Sequence, residues 1–100
     1  MNVNKIMIQR INKMRSSRRV FMLTAIEQAL YCELVAIWAE YGCADYFRYS
    51  NNGLCLALGI SKKALIKSRE SLIEAGLLYY EPGKSKLEPC VYSLSVIPVR

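Results

Sequence analysis

Residues 61–78, SKKALIKSRESLIEAGLL, constrain the fold more than any other stretch. Ser61 is an N-cap residue, because its hydroxyl can accept from the free backbone N–H groups of a first helical turn. Gly76 stands where the chain must leave the helix, a place that favours a left-handed backbone. The helix between them has Lys62 and Lys63 in its first turn and Lys67 one turn later. Cations there oppose the helix dipole, which prefers anions at its start. A helix that keeps them has a use for them outside itself, and polyanionic phosphate is the first candidate.

The remaining elements follow from caps and periodicity. Residues 1–19 are basic, with Met7, Ile8, Ile11 and Met14 at the spacing of a short amphipathic helix. Arg15, Ser16, Ser17, Arg18 and Arg19 then read as a polar break or basic arm. Thr24 and Glu27 form a capping box, opening a helix that runs to about Tyr41 and ends at Gly42. At about 100° per residue, Ile26, Leu30, Leu34, Ile37 and Tyr41 share one face, and Tyr31, Val35 and Trp38 widen it. Residues 46–49 are a short aromatic strand. Ser50, Asn51 and Asn52 offer caps for another helix with Leu54, Cys55, Leu56, Ala57 and Leu58 as its apolar positions. Gly59 and Ile60 make the turn into the lysine-bearing helix, whose Leu65, Leu72 and Ile73 are expected to face inward. Residues 77–81 and 90–96 read as two strands around a turn-rich loop carrying Lys84 and Lys86, and Pro98 ends the second.

One hundred residues allow one small domain, and 53% apolar with 22% charged residues suits a folded one. The net charge of +6 is unevenly placed. Residues 1–20 carry Lys5, Arg10, Lys13, Arg15, Arg18 and Arg19 and no acid. Residues 21–60 carry Arg48 against Glu27, Glu33, Glu40 and Asp45, and residues 61–100 are basic again. Basic ends around an acidic middle raise the weight of a nucleic-acid partner. Cys32, Cys43, Cys55 and Cys90 have no C-x-x-C spacing and there is no histidine, so the expectation is buried free thiols in a reducing cytoplasm and no metal. Scattered carboxylates, the missing histidine and the absence of a glycine-rich phosphate loop argue against catalysis and against a cofactor. Glu27, Glu33 and Glu40 interrupt the most apolar stretch, so no membrane span is expected, and Gln9 and Arg10 break the apolar run of Ile6, Met7, Ile8 and Ile11, so no secretory leader is expected.

The run L-x-x-x-L-G-I-S-x-x-x-L-x-x-x-x-x-x-L-x-x-x-G-L-L, residues 54–78, with a hairpin after it, resembles the winged helix-turn-helix superfamily over residues 24–96. The nearest likeness is to the N-terminal domain of phage replisome-organiser and DnaD-type replication initiation proteins. The resemblance implies an α+β, mainly α fold: a three-helix core, a C-terminal β-hairpin wing and a short extra strand before the middle helix. An N-terminal helix or arm (residues 1–19) would precede the domain (20–97), with a tail at 98–100. It further implies double-stranded DNA as partner, in replication initiation or transcription regulation. Lys62, Lys63, Ile66 and Lys67 would face base edges, Ser61 would donate to a phosphate, and Lys84 and Lys86 would lie on the backbone as the wing. Arg18 and Arg19 would track backbone or minor groove as a basic arm. Glu70 on the same helix face, and Glu81 and Glu88 flanking the wing, dilute that basic surface. The wide apolar stripe at Tyr31, Val35 and Trp38 is expected to pair two copies, or else to be covered by residues 6–14. A protein-interaction module without specific DNA binding is the competing expectation, and other replication or regulatory proteins are further candidate partners. The chain stops soon after the second wing strand, which leaves room for an effector, helicase-loading or oligomerisation region beyond Arg100.

Overall fold

A computed structural model describes residues 3–85 and 88–94. Among these residues the chain is α+β and mainly helical, with four helices and one three-stranded antiparallel sheet. The order is α1 (Val3–Phe21), α2 (Ala25–Glu40), β1 (Phe47–Tyr49), α3 (Asn51–Leu58), α4 (Lys62–Glu74), β2 (Tyr79–Glu81) and β3 (Cys90–Ser93). None of the described helices is long and apolar enough to cross a membrane.

The helix starts are built as their caps require. Thr24 and Glu27 make the reciprocal capping box, with the Thr24 N–H donating to Glu27 Oε1 at 2.8 Å and the Glu27 N–H to Thr24 Oγ1 at 3.2 Å. Ser50 Oγ accepts from the Gly53 N–H at 3.0 Å, and Ser61 Oγ from the Ala64 N–H at 3.1 Å. Between α3 and α4 the chain reverses at Gly59, with φ at 65°. A Cβ at Gly59 would meet nothing within 4 Å, so the cost of Gly59→Ala comes from the backbone alone. It is expected at about 1 kcal/mol, read as a shifted urea midpoint with an unchanged slope.

The basic break expected at residues 15–19 is not a break. α1 continues through it to Phe21, because no Gly or Pro interrupts it and the Ser17 hydroxyl donates back to the Lys13 carbonyl at 3.0 Å. The turn comes at Met22, whose φ is 53°. α1 packs on α2, and α2 in turn packs on α3 and α4.

β3 is the middle strand, flanked by β1 and β2, with Phe47 opposite Tyr92 and Tyr79 opposite Ser93. The two strands around the hairpin therefore recruit the short strand that precedes α3. Tyr92 is fully buried, stacked on Phe47 at 5.8 Å and tilted against Tyr80 at 5.4 Å. Leu54, Leu65, Leu72, Leu77, Leu78 and Leu94 close the core around this sheet. Several expected apolar positions are exposed instead. Ile26 and Tyr41 lie at the edge of the α2 stripe, Leu56 points away from the core of α3, and Ile73 sits outside the face that Leu65 and Leu72 bury. Cys90 is buried and Cys43 and Cys55 are half-buried, but Cys32 is exposed on α2, against the expectation of four buried thiols.

Tyr31, Val35 and Trp38 are buried within the chain, so the stripe expected to pair two copies is already filled. Met14 is buried with them, Ile6, Met7 and Ile11 pack on the same core, and the Arg10 guanidinium lies 5.3 Å over the Trp38 ring. The covering therefore comes from α1. Burial pushes the Tyr31 hydroxyl up to about 12, against the opposing pull of the Arg10 charge. An unfolded tyrosine ionises near 10, whereas folded Tyr31 holds its proton to about 12. This contribution to stability is present below pH 10 and falls by about 1.4 kcal/mol per pH unit between 10 and 12. Urea unfolding at pH 7 and pH 11 is expected to show Tyr31→Phe narrowing the difference between the two by about that amount.

Candidate nucleic-acid interface

α4 divides its residues cleanly. Leu65, Ser68, Arg69 and Leu72 are buried. Lys62, Lys63, Ile66, Lys67 and Glu70 are exposed. The first turn of α4 holds no acidic residue, so the lysines and the positive end of the helix dipole add at one place. Ser61 spends a lone pair on the Ala64 N–H, and its hydroxyl proton stays free to donate outward.

Lys62 also reaches the hairpin. It lines a cleft of about 580 Å³ with Ser50, Asn51 and Asn52 from the start of α3 and Tyr80 and Ser85 from the hairpin side. The cleft therefore combines one ammonium group, two amide side chains and the amide-rich start of a second helix with one carboxylate, Glu88, whose charge is offset by its pair with Arg48. That is an environment suited to an anionic oxygen group. Asn51 and Asn52 were legible only as capping residues. Their place beside Lys62 depends on the α3–α4 angle, which no local pattern records.

Lys84 is exposed at the near end of the hairpin loop, and Lys86 lies outside the described residues. Glu88 does not stand free beside the loop. Its Oε1 pairs with Arg48 Nη1 at 3.1 Å, and the same Nη1 donates to the Pro89 carbonyl at 3.1 Å. The pair is partly exposed and worth little to stability, but it neutralises one of the acids expected to dilute the basic surface. Arg18 is exposed on α1 and donates to Gln28 Oε1 at 3.1 Å, and Arg19 lies on the same helix. Both belong to a helix that packs on α2, so the structure does not group them with the lysines of α4.

Behind the cleft is a residue whose role the sequence pattern did not reveal. Arg69 is only 5% exposed. Its Nη1 donates to Asn51 Oδ1 at 2.8 Å and to the Tyr92 hydroxyl at 2.9 Å, and its guanidinium lies 4.0 Å over the Tyr80 ring. Cys90 Sγ stands 3.3 Å from the Tyr80 hydroxyl and 3.6 Å from Asn51 Oδ1. Burial, then the Cys90 contact, push the Tyr80 hydroxyl up to about 12. Burial also raises Tyr92, while Arg69 draws it down. Both phenols therefore stay protonated at neutral pH, able to accept from the guanidinium and face it with neutral rings. This cluster fixes α4 to the first turn of α3 and to β2 and β3, and so sets where the exposed lysines stand relative to the hairpin.

Searches of protein-family models, curated proteins and solved structures return no match to this chain.

Proposed function

We propose that the chain is a winged-helix domain that binds double-stranded DNA, with α4 in the major groove and the hairpin between β2 and β3 against the adjacent backbone. The observation that carries this reading is the exposed lysine face of α4, whose first residue shares a cleft with the hairpin. Two features of the fold support it. A short glycine turn joins α3 to α4, and the pair lies between β1 and a hairpin that closes the sheet in the order β1–β3–β2. Lys62, Lys63 and Lys67 would meet guanine edges or phosphates, Ile66 a thymine methyl, and Ser61 and Lys84 the backbone. Lys86, Arg18 and Arg19 would add sequence-independent attraction. A replication-initiation protein or a transcription regulator in the cytoplasm is the context this chemistry suits. A second copy would present two such helices to half-sites about 34 Å apart.

A protein-interaction module is the second reading, favoured by Leu56, which is 85% exposed on α3. Salt separates the two. Titration of a labelled duplex, followed by anisotropy over a range of salt, is expected to give a steep loss of affinity if phosphates are bound. Absence of binding at low salt would remove the DNA reading.

A further inference from the structure

α1 is joined to the domain through residues 22–24, and this connection is strained and clasped. Met22 has φ at 53°, a left-handed backbone in a residue that carries a Cβ. Leu23 is buried and Thr24 caps α2. The Gln28 side chain holds the turn from both sides: its Oε1 accepts from Arg18 Nη1 at 3.1 Å, and its Nε2 donates to the Leu23 carbonyl at 3.0 Å. The face that α1 covers is imperfectly satisfied, because the Tyr31 hydroxyl and Trp38 Nε1 are buried with no hydrogen-bond partner among the described residues. Around the turn, Val20, Phe21 and Met22 are 76%, 49% and 82% exposed, an apolar group gathered at the hinge.

We propose that α1 exchanges between two copies of this chain, each α1 packing over Tyr31, Val35 and Trp38 of the other, with the hinge at Met22. The occupant is a second copy because the exchanged contacts are the same residues on both sides of the equation. Only the hinge decides between the closed and exchanged forms. Opening lets Met22 leave the left-handed region. It also brings two hinges together near a two-fold axis, where the exposed Val20, Phe21 and Met22 of each copy can cover those of the other. The Gln28 clasp and the Thr24 capping box oppose opening. Short connections under strain are the ones that exchange. The exchange does not depend on nucleic-acid binding, since the contacts exchanged are those of α1 with α2 and not the exposed lysines of α4.

The test uses the whole chain, refolded at high micromolar concentration and weighed by light scattering. An equal mixture of isotope-labelled and unlabelled copies, co-refolded, is then read by filtered nuclear Overhauser spectra. Contacts from Met7, Ile11 or Met14 of one copy to the Tyr31 or Trp38 ring of another support the exchange. Gln28→Ala is expected to raise the dimer fraction. Met22→Gly is expected to weaken the dimer roughly a hundredfold, about tenfold for each of two hinges, because glycine is at ease in the closed turn. A chain that stays monomeric with and without Gln28, or a dimer lacking those intermolecular contacts, overturns the proposal.

Discussion

Replacing Lys62, Lys63 and Lys67 together with alanine is expected to weaken duplex binding at moderate salt by roughly a hundredfold or more. If all three meet phosphates, the slope of log affinity against log salt should flatten by close to three. A smaller change in slope with the same loss of affinity would assign one or two of them to base edges instead. The same variant should fold as well as the parent. All three side chains are exposed, and two of them sit at the positive end of the α4 dipole, where their removal relieves repulsion. A melting temperature that holds or rises while binding collapses would locate the lysines' purpose outside the fold. Duplex affinity and salt slope that both survive the substitution would sink the DNA reading and leave the interaction module standing. Lys13→Ala on α1 is a single-charge control, expected to change the salt slope by no more than about one, on a helix that packs on α2.

The starts and turns of this fold were legible because their chemistry is local. Thr24 with Glu27, Ser50, Ser61 and Gly59 each satisfy or redirect backbone within four residues, and each acts where the pattern put it. The end of α1 was not legible, since two serines among arginines look like a break until Ser17 is seen donating to Lys13. The partner of β1 was equally hidden: residues 47–49 meet residues 90–92 only after α3 and α4 have folded between them. The apolar width of α2 was read correctly as needing cover. That cover was assigned to a second copy, wrongly, because α1 and a second copy offer the same kind of surface and only the fold shows that α1 fills it. The lysines of the candidate interface were found through their conflict with the helix dipole. Arg69 was placed between the inward-facing Leu65 and Leu72, where it is indeed buried, but what holds it there was not found. Asn51, Tyr80 and Tyr92, which make its burial tolerable, come from three different elements.

Arg69→Ala is the substitution expected to cost the fold most, about 3–5 kcal/mol in urea unfolding. A domain of this size commonly has about 5–10 kcal/mol in all, so the variant would stand near its threshold. Three losses coincide. The Tyr92 hydroxyl and Asn51 Oδ1 give up their guanidinium donor in the core, the Tyr80 ring loses the cation above it, and a cavity opens beneath α4. Among the described residues no carboxylate forms an ion pair with Arg69, so hydrogen bonds and the aromatic face alone offset its desolvation. This makes Arg69→Met informative. Methionine refills most of the volume and removes a buried charge that lacks a counter-ion, so its cost is expected at about 1–2 kcal/mol, clearly below that of alanine. Arg69→Met with Tyr92→Phe should recover part of that, since no orphaned hydroxyl then remains, and the non-additivity measures the pair directly. A loss under about 1 kcal/mol for Arg69→Ala would mean the cluster relaxes freely and does not hold the α3–α4 angle. If it does hold that angle, Arg69→Met should bind duplex more weakly than its stability alone explains, because the lysines of α4 would no longer be fixed against the hairpin.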